Sequence, residues 1–185
     1  MELFPELNLG LMNGWLLLGI HVLIQGSLML IFPKDVNVRL LDRSRWSLMQ
    51  RVFLISGKIF SLVCLILIIL TPLKTGSILF FIAIPIYLIG LIGLVISMIN
   101  FRNTPPDTLV DTGLYTISRH PQILSLFFLL TGMCLAIGSW SAFLALLLSR
   151  ILQHPSILAE EEACMQQYGD SYRTYMKKVP RYLVF

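Results

Sequence analysis

The chain has 185 residues, of which 56% are hydrophobic and only 13% charged, and its mean hydropathy is +0.80. Soluble domains carry about a quarter charged residues, so these proportions exclude an ordinary water-soluble fold and leave room for one compact bundle in lipid. The net charge of +4 does not indicate nucleic acid, because the basic residues flank apolar runs, and Cys64, Cys134 and Cys164 are spaced for neither a disulfide framework nor a metal site.

The opening "MELFPELNLG" is acidic where a secretory signal would be basic, so the first apolar run is expected to be a retained membrane helix. A spanning helix needs roughly 20 apolar residues. The first predicted span runs from about Leu9 to Phe32 and is ended by Pro33-Lys34-Asp35. The second runs from about Val52 to Thr71 and is stopped by Pro72. The third, about Ser77 to Phe101, contains Pro85 and the pair Gly90 and Gly93. The fourth starts at Pro121 and ends near Ile137, where "GSWS" makes a tight turn. The fifth begins near Ala142 and forms a hairpin with the fourth.

Arg150 and then "QHP" interrupt the fifth run, and by Glu160 the chain is acidic. This helix is expected to leave the bilayer partway and continue at its surface. The tail "QQYGDSYRTYMKKVPRYL" alternates aromatic and cationic residues, as interfacial segments do. The predicted fold is therefore an all-α membrane protein. It has about five transmembrane helices, a C-terminal helical hairpin and an amphipathic cytoplasmic tail. It forms a single membrane domain over 1–185, with a three-helix part over 1–101 and a C-terminal part over 102–185.

Charge sets the expected orientation. The segment after the first span carries Lys34, Arg39, Arg43, Arg45 and Arg51, and the segment before the fourth carries Arg102 and Arg119. The C-terminal part adds Arg150, Arg173, Lys177, Lys178 and Arg181, whereas the other side has only Lys74. The bias of Lys and Arg toward the cytoplasm then places the N-terminus outside and the C-terminus inside. Within the spans, His21 and Gln25 lie four apart on one helix face and are expected to bond across helices. Lys58 lies close enough to a span end to snorkel. Gly90 and Gly93 suit close helix packing, with backbone approach to a ligand as the alternative.

Two segments carry chemistry on the predicted cytoplasmic side, "LVDTGLYTISRHP" at 109–121 and "ILAEEEACMQQYGDSYRTYMKKVPRYL" at 157–183. An Arg-His pair at one membrane boundary and a glutamate group at another can converge on a polar ligand. The basic pair suits a carboxylate, and a glutamate suits hydroxyls or an amine. Taken singly, each has a plainer reading as an interfacial anchor or a solvated helix face. Glu160 and Glu161, however, come straight after an apolar stretch, where burying charge is expensive.

The order G-x-Y, R-H-P, apolar hairpin, L-A-E-E, Y-G-x-x-Y-x-x-Y and V-P-R, over Leu109–Leu183, resembles the integral-membrane methyltransferases. These are the isoprenylcysteine carboxyl methyltransferases and the related phospholipid methyltransferases. The resemblance implies an S-adenosylmethionine site at the cytoplasmic end of the last helices, and so makes 102–185 the cofactor-binding part. Carried over by motif, the cofactor-binding residues would be Tyr115, Arg119, His120, Glu160 and Glu161, with Gly90 added as a point of backbone approach. Arg119, His120, Arg150 and His154 are the catalytic candidates. Tyr168, Gly169 and Tyr172 match an aromatic-glycine turn. Ile123 stands where the family usually has tyrosine, and Ser156 where an arginine is common.

No metal is required for methyl transfer from a sulfonium, and positioning carries the catalysis. The expected acceptor is lipophilic and enters from the membrane lipids. A phospholipid amine, deprotonated by His120, His154 or a glutamate, is favoured over the carboxylate of a prenylated cysteine. Two readings compete with these: a bundle that kept the fold and lost catalysis, and a sterol-reductase-like membrane enzyme.

Overall fold

A computed structural model describes residues 1–41 and 47–183, so Arg43 and Arg45 lie outside the described residues. Seven α-helices are found there: α1 (Trp15–Ile31), α2 (Lys34–Leu41), α3 (Leu48–Leu70), α4 (Ile78–Asn103), α5 (Pro121–Ala136), α6 (Trp140–Tyr168) and α7 (Asp170–Lys178). A short 3-10 turn, Gly113–Thr116, precedes α5, and the described residues form no strand. The helix ends follow local chemistry. Phe32 and Thr71 are held extended before Pro33 and Pro72, because a following proline disfavours the helical conformation. Ser47 and Gln50 close a reciprocal capping box at the start of α3. The hydroxyls of Ser77 and Ser139 accept the third backbone N–H of α4 and α6.

Three helices, α3, α4 and α6, are long and apolar enough to cross a membrane, whereas α1 and α5 have 17 and 16 residues. The first run becomes helical only at Trp15, not Leu9. The preceding segment instead satisfies the end of α3: Asn8 N–H donates to Leu70 O (2.8 Å), and the Asn13 amide donates to Ile69 O (3.1 Å). Those carbonyls have no partner inside their own helix. "KDVNVRLL" after the first span is itself a helix, α2. Its Arg39 donates to Phe101, Thr104 and Pro105 carbonyls at the C-terminal end of α4 and lies over the Phe101 ring. A cation there complements both the unpaired carbonyls and the negative end of the helix dipole.

Sequence neighbours are not the main packing partners. α5 and α6 are joined by the turn at Gly138, yet α5 packs along α4 and α6 packs along α3. The α4–α5 seam is backbone against backbone. A Cβ at Gly90 would lie 2.2 Å from Leu129 N, and one at Gly132 would lie 2.6 Å from Tyr87 N. The α3–α6 seam is polar instead. Ser61 and Ser149 hydroxyls meet at 2.6 Å, and the Gln153 amide donates to both (3.1 and 2.9 Å). Gly57 makes room for it, since a Cβ there would lie 2.4 Å from Gln153 Cγ. His21 is buried, but its Nδ1 finds no hydrogen-bond partner among the described residues; one turn earlier in α1, Leu17 O accepts from Tyr87 Oη of α4 (2.9 Å).

Ile68, Leu129, Met133, Ile137 and Leu146 are wholly buried, while Leu23, Leu30, Leu48 and Ile78 stand outward and exposed. An outward apolar belt of that kind suits hydrocarbon. Glu2, Lys74 and the Gly138 turn meet at one end of the bundle, where Glu2 and Lys74 form an ion pair.

Candidate functional site

The opposite end holds the polar cluster. Gly113 has φ +60°, and a Cβ on it would lie 2.2 Å from Asn100 Oδ1. Glycine is therefore required there, and Asn100 accepts the Leu114 N–H (3.0 Å). This fixes Tyr115, a buried side chain whose hydroxyl accepts from Gln122 Nε2 (3.0 Å) and whose carbonyl accepts from Tyr175 Oη (2.7 Å). Burial pushes both phenols well above their usual range, so each remains a neutral donor or acceptor.

The Arg-His-Pro segment is strapped to the tail. Arg119 N–H donates to Pro180 O (3.0 Å), and Ser118 Oγ donates to Arg181 O (2.9 Å) while accepting His120 N–H (3.2 Å). Pro121 then starts α5 at a position where a missing N–H costs nothing.

Glu161 is the hub. It is 3% exposed. Arg181 forks onto it through Nε (3.0 Å) and Nη2 (2.7 Å), and Arg119 Nη2 and His120 Nε2 each stand 3.2 Å from its Oε1. Two permanent cations hold this carboxylate ionised, and its hydrogen bond in turn raises the Arg181 guanidinium above its ordinary value. An ionised carboxylate only accepts, so His120 Nε2 carries the proton. His120 Nδ1 faces the other way, 3.7 Å from Glu160 Oε2.

A cavity of about 820 Å³ opens beside this hub, within the range of small-molecule sites. Its polar part includes Tyr115, Arg119, His120, Glu160 and Tyr172, and its apolar part Leu54, Ile123, Phe127, Leu147 and Ile151. Three buried polar atoms of its lining residues have no partner among the described residues: Arg119 Nε, Arg150 Nε and Ser156 Oγ.

The structure thus brings Tyr115, Arg119, His120, Glu160 and Arg150 to one cavity and separates the rest. Glu161 stands behind the wall as the holder of Arg119 and His120. His154 does not line the cavity, and its Nδ1 lies 3.2 Å from Tyr182 Oη of the tail. Gly90 is also absent from the lining. It is pressed onto the α5 backbone, so close helix packing replaces the expected approach to a ligand. Arg181, Ser118 and Tyr175 complete the site without having been singled out, although V-P-R and the tyrosine repeat stood among the ordered motifs.

A family model for phospholipid methyltransferases matches residues 74–171, more than half of the chain. The chain belongs to the phospholipid methyltransferase family. No curated protein and no solved structure matches it. The matched span of this family member includes Arg119, His120, Glu160 and Glu161 and stops short of Arg181. Membership, together with helices of spanning length and composition, makes it a membrane protein of a methyltransferase family.

Proposed function

We propose that the protein transfers a methyl group from S-adenosylmethionine to the amine of a phospholipid, with the polar cluster facing the cytoplasm. The observation that carries this reading is the cavity, which joins a charged wall to an apolar wall within one space. The charged wall suits the donor. Arg119 Nε is a buried donor without an acceptor among the described residues, as a ligand carboxylate would supply, and Glu160 lines the same cavity as an acceptor for hydroxyls. Glu161 and Arg181 orient Arg119 and His120 from behind. S-adenosylmethionine, when bound, supplies an electrophilic methyl on a sulfonium.

The chain's remaining task is proton management. A phospholipid amine is protonated at neutral pH and must lose that proton to become a nucleophile. His120 Nδ1 is placed for it, because Nε2 already donates to Glu161 and Glu160 lies beside Nδ1 to stabilise the imidazolium. The apolar wall suits acyl chains arriving from the bilayer.

The test is turnover of phosphatidylethanolamine and of a farnesylated cysteine analogue in one nanodisc preparation with labelled S-adenosylmethionine. Phosphatidylethanolamine is expected to carry the label, at a rate that rises with pH through neutrality and falls strongly in His120→Ala. Labelling of the prenylcysteine alone would assign a carboxylate acceptor. Tight cofactor binding with no labelling of either would mark a bundle that has lost catalysis.

A further inference from the structure

Arg150 is a permanent cation at the point where the apolar run of α6 gives way to polar residues, and no Asp or Glu among the described residues pairs with it. Its Nη2 donates to two neutral acceptors, Ser149 Oγ (3.3 Å) and Gln153 Oε1 (3.2 Å), and its Nε is buried without a partner among the described residues. Arg150 is half-buried, and a guanidinium partly withdrawn from water without a counter-charge carries a desolvation cost. Its neighbours nevertheless hold it in place: Gln153 is fixed by Ser61 and Ser149, and Gly57 leaves the space that Gln153 fills. Arg150 lines the same cavity as His120, next to the apolar side chains Leu147 and Ile151. Ser156, 4% exposed and also on the cavity, adds Oγ as a second polar atom without a partner among the described residues. This combination turns a cation and two polar atoms without a partner among the described residues toward one cavity.

We infer that Arg150, held by Ser61, Ser149 and Gln153, is the anion subsite for the acceptor, receiving the phosphodiester oxygens of the lipid headgroup while the acyl chains lie on the apolar wall. The inference rests on the lipid-acceptor reading above and adds the part of the headgroup that is recognised. A prenylcysteine carboxylate presents similar oxygen chemistry, so the experiment must separate the two.

The probes are phosphatidylethanolamine, a long-chain alkylamine without phosphate, and farnesylcysteine. Retention by the purified protein is measured by native mass spectrometry, and methylation is measured separately. Wild type is expected to retain phosphatidylethanolamine more tightly than the alkylamine. Arg150→Gln should weaken the phospholipid about ten- to a hundred-fold, the worth of a charge-assisted hydrogen bond, and leave the alkylamine and S-adenosylmethionine affinities unchanged. Arg150→Lys should recover part of the loss. In turnover, the change should fall on KM for the phospholipid rather than on kcat.

Equal retention of phospholipid and alkylamine by wild type would overturn the inference without recourse to any variant. So would Arg150→Gln protein that weakens only farnesylcysteine. Arg150-dependent retention of phosphatidylethanolamine with no methylation of it would leave the subsite standing and sink the proposed reaction instead.

Discussion

The two long seams of the bundle are built on opposite principles. Between α4 and α5 the helices meet backbone to backbone at Gly90 and Gly132. Between α3 and α6 the contact is a hydrogen-bonded strip of Ser61, Ser149 and Gln153. Lipid tails are as apolar as leucine, so helices in a bilayer associate through close van der Waals approach or through hydrogen bonds. This protein relies on close approach in the first seam and joins it to hydrogen bonds in the second, where Gly57 makes room for Gln153. The close seam leaves no space, whereas the polar seam adjoins the cavity and holds a cation on its wall.

The largest expected effect comes from the part of α6 beyond the polar strip. Glu161→Ala strands two arginines that are fixed against it, and breaking a buried ion pair from one side costs about 3–5 kcal/mol. Thermal unfolding in detergent should show a large loss, and the tail should become open to proteolysis after Arg173 or Lys177. A Tm close to wild type would mean that Glu161 is not the hub described above.

Gly90→Val tests the close seam. Its side chain would collide with α5 backbone atoms that cannot rotate away, so the loss should be about 3 kcal/mol or more. Cofactor affinity should fall only in proportion to unfolded protein. A folded Gly90→Val protein with selectively lost S-adenosylmethionine binding would restore the glycine to the cofactor site.

Glu160→Gln sharpens the contrast between wall and hub. It should weaken S-adenosylmethionine binding about ten- to a hundred-fold, as loss of a charge-assisted bond does, with a much smaller fall in Tm than Glu161→Ala. Calorimetric titration and a melt on the same sample check both halves. Ser61→Ala, the mildest change, removes one neutral hydrogen-bonding partner from the polar seam and should cost about 1 kcal/mol. If it matched Gly90→Val, the two seams would not differ in kind.

Much of this was legible in the sequence, and the rest was hidden for identifiable reasons. Apolar runs mark helices because lipid demands them, and most predicted starts and stops fall at prolines or small polar residues that act locally. Arg119, His120 and Glu160 converge as their positions at the ends of predicted spans suggested. What the sequence does not display is which helix lies beside which: nothing local to Ser149 indicates that Ser61, 88 residues earlier, is its partner. The same distance hides the division of labour between Glu160 and Glu161. These neighbours are identical by composition, yet they project on different sides of α6, so one lines the cavity and the other faces Arg181. His154 reads as a base from its chemistry alone, but its ring lies against Tyr182 rather than the cavity. The first predicted span began too early because Leu9 and Leu11 are apolar, while Asn13 and Gly14 end the N-terminal segment on the end of α3.

The pairing of the helices also dictates an order of assembly. In chain order the seams are nested, α4 with α5 inside and α3 with α6 outside. A chain entering the bilayer from its N-terminus can close the inner pair as soon as α5 arrives, while Ser61 on α3 still faces lipid with no partner. Only when α6 follows does that hydroxyl find Ser149, and the same event carries Arg150, Glu160 and Glu161 into a bundle already half built. The charged helix is thus the last of the four to enter, and it brings Ser149 and Gln153 to the Ser61 hydroxyl already in place on α3.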